Sequence, residues 1–155
     1  SGTVSVGGLV GSAFGATIEN CCSTTSVEGD DSTQAGGLVG IIGGQSLVKN
    51  CYSAGLVAAA DSNSTRSGGL IGSNTGCFVL DSYWDKETSG KLGSGGGEGK
   101  TTAEMKNKDT FWNWDFANVW GFYELPKTGY PWLRNCAHTV LLTVSAILLP
   151  PAIQS

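Results

Sequence analysis

Ser94-Gly95-Gly96-Gly97-Glu98-Gly99-Lys100-Thr101 is the stretch whose order comes nearest to chemistry. A glycine-rich loop ending in Gly-Lys-Thr ahead of a helix is how backbone amides, a lysine and a hydroxyl gather around nucleotide phosphates. Here Ser94 stands where that loop needs its first glycine, no buried strand leads in, and Glu98 would face the phosphates. The run therefore reads as a flexible connector without a nucleotide site. Asp85 and Glu87 could pair for glycoside cleavage, but two acids in a glycine-rich neighbourhood carry little signal. His138 is the single histidine, so the sequence offers no His-Glu-x-x-His zinc helix, no histidine cluster and no Ser-His-Asp set. Asp30, Asp31 and Asp61 lack the regular nonapeptide of calcium-binding repeats and read as solvated corners. These residues predict no enzyme, no cofactor and no metal.

Cysteine is the remaining reactive type. Cys21 and Cys51 fall at the same place in successive repeats and predict stacked, mostly reduced thiols, whereas Cys22, Cys77 and Cys136 follow no such spacing. Pairing of Cys77 with Cys136, or of Cys21 with Cys51, stays open, because connectivity does not follow from sequence. Asn63-Ser64-Thr65 is a formal acceptor for an N-linked glycan.

The elements that must position these residues are repeats. Gly7-Gly8-Leu9-Val10-Gly11, Gly36-Gly37-Leu38-Val39-Gly40 and Gly68-Gly69-Leu70-Ile71-Gly72 recur at intervals of 29 and 32 residues. Each is followed by a second block: Ile18-Glu19-Asn20-Cys21-Cys22-Ser23, Val48-Lys49-Asn50-Cys51-Tyr52-Ser53 and Val79-Leu80-Asp81-Ser82-Tyr83-Trp84. Periods of this length mark solenoids and arrays. Gly2-Thr3-Val4-Ser5 looks like the end of a further unit, and without an initiator methionine the 155 residues read as a piece of something longer. A net charge of −4 with scattered basic residues excludes the clustered cations a nucleic-acid surface needs.

The apolar runs are short, rich in Val, Ile, Thr, Tyr and Cys, and bounded by Gly, Ser, Asn and Asp, which predicts short strands between tight corners. One unit offers about four inward side chains, such as Leu38, Val48, Cys51 and Val57, worth ~1.5–3 kcal/mol each when buried. Ordering its thirty or so residues costs ~1–2 kcal/mol apiece. A unit cannot stand alone, so stability must lie between neighbours, and the expected fold is mostly β, a parallel β-solenoid. The paired glycines would turn its corners at unusual φ and permit close approach between coils.

The Gly-Gly-Leu-Val-Gly phrases, with Asn50 to Ser53 following, resemble the GLUG-motif repeats of large bacterial and archaeal surface or secreted proteins. Those include adhesin-like chains and the non-catalytic part of some immunoglobulin A-cleaving metallopeptidases. Asp81 to Asp85, Gly99 to Lys106, Trp114 to Phe116, Val119-Trp120 and Gly129 to Leu133 resemble the segment that closes such arrays. Cys22 departs from the pattern by standing where Tyr is usual, and the tail after Asn135 matches nothing in it. The resemblance implies a repeat scaffold at the cell surface or outside the cell, with other proteins or surface glycans as partners. It carries no catalytic residue onto this chain. An accessory module of a large secreted hydrolase is the rival reading.

Residues 78 to 132 hold twelve of the fourteen aromatics and all five tryptophans. Trp84, Phe111, Trp114, Phe116, Trp120 and Trp132 are expected to cover the open end of the array, a reading that outweighs a sugar-stacking platform. Thr101 with Glu104 forms a capping box and predicts a helix of about two turns. The expected organisation is a repeat region over 1–90, a glycine-rich linker, short helix and aromatic cap over 91–135, and an apolar tail over 136–155. Thr139 to Leu149, with Val140, Leu142, Val144 and Ile147, is too short to span a membrane, which takes ~20 residues. It must be covered by fold-back or by strand addition to another copy, which would make the chain a filament subunit, or else be the stub of a lost anchor.

Overall fold

The computed structural model describes residues 4–59, 66–123 and 129–135. Expectations for Asn63, Asp61, Cys136, His138 and the tail residues Val140, Leu142, Val144 and Ile147 lie outside the described residues. The first unit runs through strands β1 (Ser5–Gly7), β2 (Val10–Phe14), β3 (Thr17–Glu19), β4 (Cys22–Ser23) and β5 (Val27–Gly29). The second repeats them as β6 (Gln34–Gly36), β7 (Val39–Gly43), β8 (Leu47–Lys49), β9 (Tyr52–Ser53) and β10 (Val57–Ala59). The third supplies β11 (Ser67–Gly68), β12 (Ile71–Thr75), β13 (Phe78–Leu80) and β14 (Tyr83–Asp85). The mostly β expectation holds.

Pairing follows the repeat. The sheet orders are β1-β6-β11, β2-β7-β12, β3-β8-β13 and β5-β10, all parallel. Val10 pairs with Val39 and Val39 with Ile71, so equivalent residues of successive rounds lie side by side. Ile18, Val48 and Val79 do the same on the next face. Leu38, Val39, Ile42, Val48, Cys51, Leu70 and Ile71 are buried in one continuous core, and Val27, Ala35 and Val57 form a second. The four side chains predicted to point inward all do.

Two kinds of position make the corners. Asn20, Asn50 and Asp81, one per round, hold left-handed backbone at φ 54°, 51° and 45°. Asn and Asp tolerate that region where a β-branched residue would clash, which is why the second block carries them. The paired glycines act differently from expectation. None of Gly7, Gly8, Gly36, Gly37, Gly68 or Gly69 has positive φ, so their role is close approach alone. A Cβ on Gly37 would run into the carbonyl of Gly69, and one on Gly40 would sit 2.6 Å from the Gly11 carbonyl.

After the third round the chain departs from the predicted linker. Helix α1 (Lys86–Ser89) is capped by the Asp85 carboxylate and ends at Gly90 in left-handed backbone. The glycine run then pairs instead of hanging free: β15 (Glu98–Lys100) extends β4-β9-β14 as a fourth parallel strand. Ser94 Oγ accepts from the Ile71 amide at 2.8 Å, and the Gly95 amide donates to the Ile71 carbonyl at 2.8 Å. Small residues let this segment lie flat on backbone groups that a fourth full round would otherwise satisfy. Helix α2 (Thr102–Met105) carries the expected capping box but is one turn, not two. The Asn107 side chain accepts the Asp109 amide and starts a 3-10 turn over Lys108–Phe111 instead. A two-stranded antiparallel pair, β16 (Trp120–Gly121) and β17 (Trp132–Leu133), closes the described chain.

Candidate functional site

Strand alternation fixes the main surface feature. Along β9 and its neighbours Cys51 points into the core, so Tyr52 must point out, and Tyr83 repeats it one round on. Against this outward ladder the segment from α2 onward packs Met105, Phe111, Trp114 and Trp120, all buried. Tyr52 Oη donates to the Pro131 carbonyl at 2.7 Å, and Trp114 Nε1 donates to the Asp81 carbonyl at 2.8 Å. Trp114 and Trp120 rings lie 4.4 Å apart. Burial pushes the Tyr52 phenol well above its ordinary range, with Cys22 and Tyr130 adding to it, so the ring is a neutral packing element.

The aromatics therefore divide in a way the sequence did not reveal. Trp114 and Trp120 cover the flank of the stack, not its open end, because their partners Tyr52 and Tyr83, and beside them Cys22, belong to three successive rounds. Trp84 alone sits in the interior: it takes the place held by Ser23 and Ser53 in earlier rounds, lies against Gly69, and donates Nε1 to the Lys91 carbonyl at 3.0 Å. Trp132 is half-buried over Gly121, with the Arg134 guanidinium 5.6 Å from its ring.

Among the tryptophans Trp112 is the exception, 76% exposed between buried Phe111 and Trp114. It stands at the edge of two clefts. One, of about 310 Å³, is lined by Asp81, Ser82, Tyr83, Gly97 and Glu98. The other, of about 470 Å³, is lined by Lys108, Asp109, Phe111 and Phe116. Asp81 accepts from Asn113 Nδ2 at 3.1 Å, and Glu98 pairs with Lys100 Nζ at 2.6 Å. Apart from the platform reading, no signal in the sequence distinguishes Trp112 from its buried neighbours.

The residues with chemical promise are otherwise structural. One oxygen of buried Asp85 accepts the Glu87 and Thr88 amides; the other accepts Thr102 Oγ1 and Tyr130 Oη, each at 2.7 Å. Burial raises its pKa, but these hydrogen bonds outweigh burial and hold the carboxyl below its ordinary value. Glu87 accepts the Thr102 amide at 2.7 Å, so the two acids fasten α1 to α2 instead of facing a substrate. Lys100 of the Gly-Lys-Thr run is committed to Glu98 and lies 5.8 Å from the Tyr83 ring centroid.

Cys21, Cys22, Cys51 and Cys77 are thiols. Cys21 and Cys51 are neighbours across rounds, as their spacing predicted, though only Cys51 is fully buried. A hydrogen bond shared with Cys51 draws the Cys21 thiol down to about 7 against the opposing pull of burial, while the same contact and burial push Cys51 up. Among the described residues no group of three or more His, Cys, Asp or Glu is placed to hold a metal ion.

Residues 2–28 match the family model described as the GLUG motif, which bears out the resemblance read from the glycine phrases. Over 80 residues the chain is 40% identical to a Gly-rich membrane protein of Evansella cellulosilytica; the alignment takes in 48% of this chain and 9% of that relative. The chain thus spans a small part of the relative's length. No solved structure matches it. Among the described residues, no helix is long and apolar enough to cross a membrane.

Proposed function

We propose that the chain is a stretch of a non-enzymatic, extracellular β-solenoid scaffold, an adhesin-like array of GLUG rounds that holds a rigid flank out from the cell surface. The observation that carries this reading is the register. Each paired strand residue of a round faces its equivalent 29 to 32 positions on, an arrangement that extends by adding rounds, and the buried Asp85 and Cys51 serve structural contacts. The long relative, named as a membrane protein, suits an array of which this chain is a part.

Two measurements test it. Thr17 and Leu47 are paired across rounds, so Thr17→Cys with Leu47→Cys in the Cys-free background forms a disulfide on oxidation if the rounds stack, and stays reduced if they do not. Labelled protein is then offered to cells, matrix proteins and immobilised surface glycans. Saturable binding to one of them is the expected result; no binding to any of them removes the adhesive role.

A further inference from the structure

The flank carries a feature that scaffolding does not require. Trp112 is 76% exposed, yet its backbone is fixed at the end of the 3-10 turn by Phe111 and Trp114, which are buried on either side. Leaving an indole in water forgoes ~25 cal/mol for every Å² that could be covered. Unlike Trp114 and Trp120, this ring adds nothing to the packing against Tyr52 and Tyr83.

We propose that Trp112 and the clefts beside it bind an uncharged polysaccharide, the indole stacking on one pyranose ring while the polar walls take up hydroxyls of the neighbouring units. The clefts are about 310 Å³ and 470 Å³, at the lower end of the ~300–1,000 Å³ of small-ligand sites. Trp112 borders both, so a chain that crosses the ring places one unit on each side. The walls choose the ligand class. Asp81 and Glu98 in the first cleft, and Asp109 in the second, offer acceptor oxygens to sugar hydroxyls. In the first cleft Asp81 and Glu98 outnumber Lys100 and disfavour uronic and sialic acids, while in the second Lys108 offsets Asp109. A protein partner would instead need a contiguous apolar surface around the ring; the first cleft sets Asp81, Ser82 and Glu98 beside Val79 and Tyr83, and the second sets Lys108 and Asp109 beside Phe111 and Phe116, so polar groups interrupt the apolar surface on both sides.

The proposal deepens the scaffold reading and rests on it, and the test separates the two. Electrophoresis of the purified chain through gels containing mannan, galactan, xyloglucan or soluble β-glucan is compared with a gel containing polygalacturonate. At least one neutral polymer retards the protein and polygalacturonate does not. Trp112→Ala lowers the affinity about tenfold or more, the loss expected on truncating an aromatic anchor, with an unchanged melting temperature because the side chain supports no packing. Asp81→Asn with Glu98→Gln admits polygalacturonate; Asn is the residue of the earlier rounds at that corner, so the fold is kept. Retardation by no neutral polymer, or undiminished binding by Trp112→Ala, overturns the site. Adhesion that Trp112→Ala abolishes equally on untreated and periodate-oxidised cells also overturns it, as a protein contact. Adhesion that survives Trp112→Ala leaves the scaffold standing without the glycan site.

Discussion

Chemistry at single residues in this chain is governed by which side of a strand each occupies. Cys21 lies in the first round, half-covered and hydrogen-bonded to Cys51, and its thiol is drawn to about 7, well below the ~8.5 of an ordinary cysteine. Only the thiolate alkylates, so iodoacetamide should modify Cys21 ahead of Cys22, Cys51 and Cys77, with a rate that rises through pH 7. Cys51→Ala removes the contact and should move that midpoint up; an unmoved midpoint would show that Cys51 is not the cause. Asp85 makes the complementary prediction. Its folded-state pKa is depressed, so its stabilisation is present above the unfolded-state value near ~3.9 and is lost as pH falls through the folded value. Asp85→Asn should destabilise at pH 7 by about 1.5–3 kcal/mol, the range for hydrogen bonds to a charged group. In urea denaturation the difference from wild type should shrink towards pH 3; a gap that stays constant would mean the charge is irrelevant.

At the scale of elements, backbone geometry decides what each position accepts. Asn50 holds φ 51°, and its buried Oδ1 has no hydrogen-bond partner. Asn50→Gly keeps the left-handed corner and removes the orphaned oxygen, so its melting temperature should match or exceed wild type. Asn50→Val should lose about 1–2 kcal/mol, the handedness penalty for a side chain with no local hydrogen bond. Equal melting of the two variants would refute a conformational role. The inward ladders were legible because a period repeats them: Leu38, Val48 and Cys51 announce themselves by recurring, whereas the corners, expected at the paired glycines, fall at Asn20, Asn50 and Asp81. Helix α1 was not, although Asp85, Glu87 and Gly90 spell a cap, an acidic first turn and a stop, because four residues give no periodicity to notice. The glycine run read as a connector for a related reason. Its pairing as β15 depends on the free edge of β14, which composition cannot express. The flank packing escaped because an outward Tyr52 and an inward one look alike until something covers the outer face.

For the whole molecule, the two ends of the stack differ. Beyond the third round, Gly93 to Lys100 take up the backbone groups of Gly69, Leu70 and Ile71 and pair with β14. The first round has no such cover among the described residues: Leu9 is 49% exposed, whereas its equivalents Leu38 and Leu70 are fully buried. Each buried Leu is capped by the round before it, and each round also pairs its strands with that neighbour. Stability in such a stack is a sum of weak rounds and strong interfaces, so one more interface at the open edge should raise the total. Residues 5–33 form one period, since Ser5 pairs with Gln34, and a duplicate of them inserted ahead of Ser5 joins Thr33 to Ser5, the register equivalent of its natural neighbour Gln34. Covering the second copy of Leu9 alone should contribute about 1 kcal/mol, with the new strand pairs adding to it. The enlarged protein should melt at a higher temperature in a single calorimetric transition. A lower melting temperature, or a separate early transition for the added round, would mean that the exposed edge of β1, β2 and β3 is not shaped to receive a neighbour, and that stacking does not propagate beyond the rounds seen here.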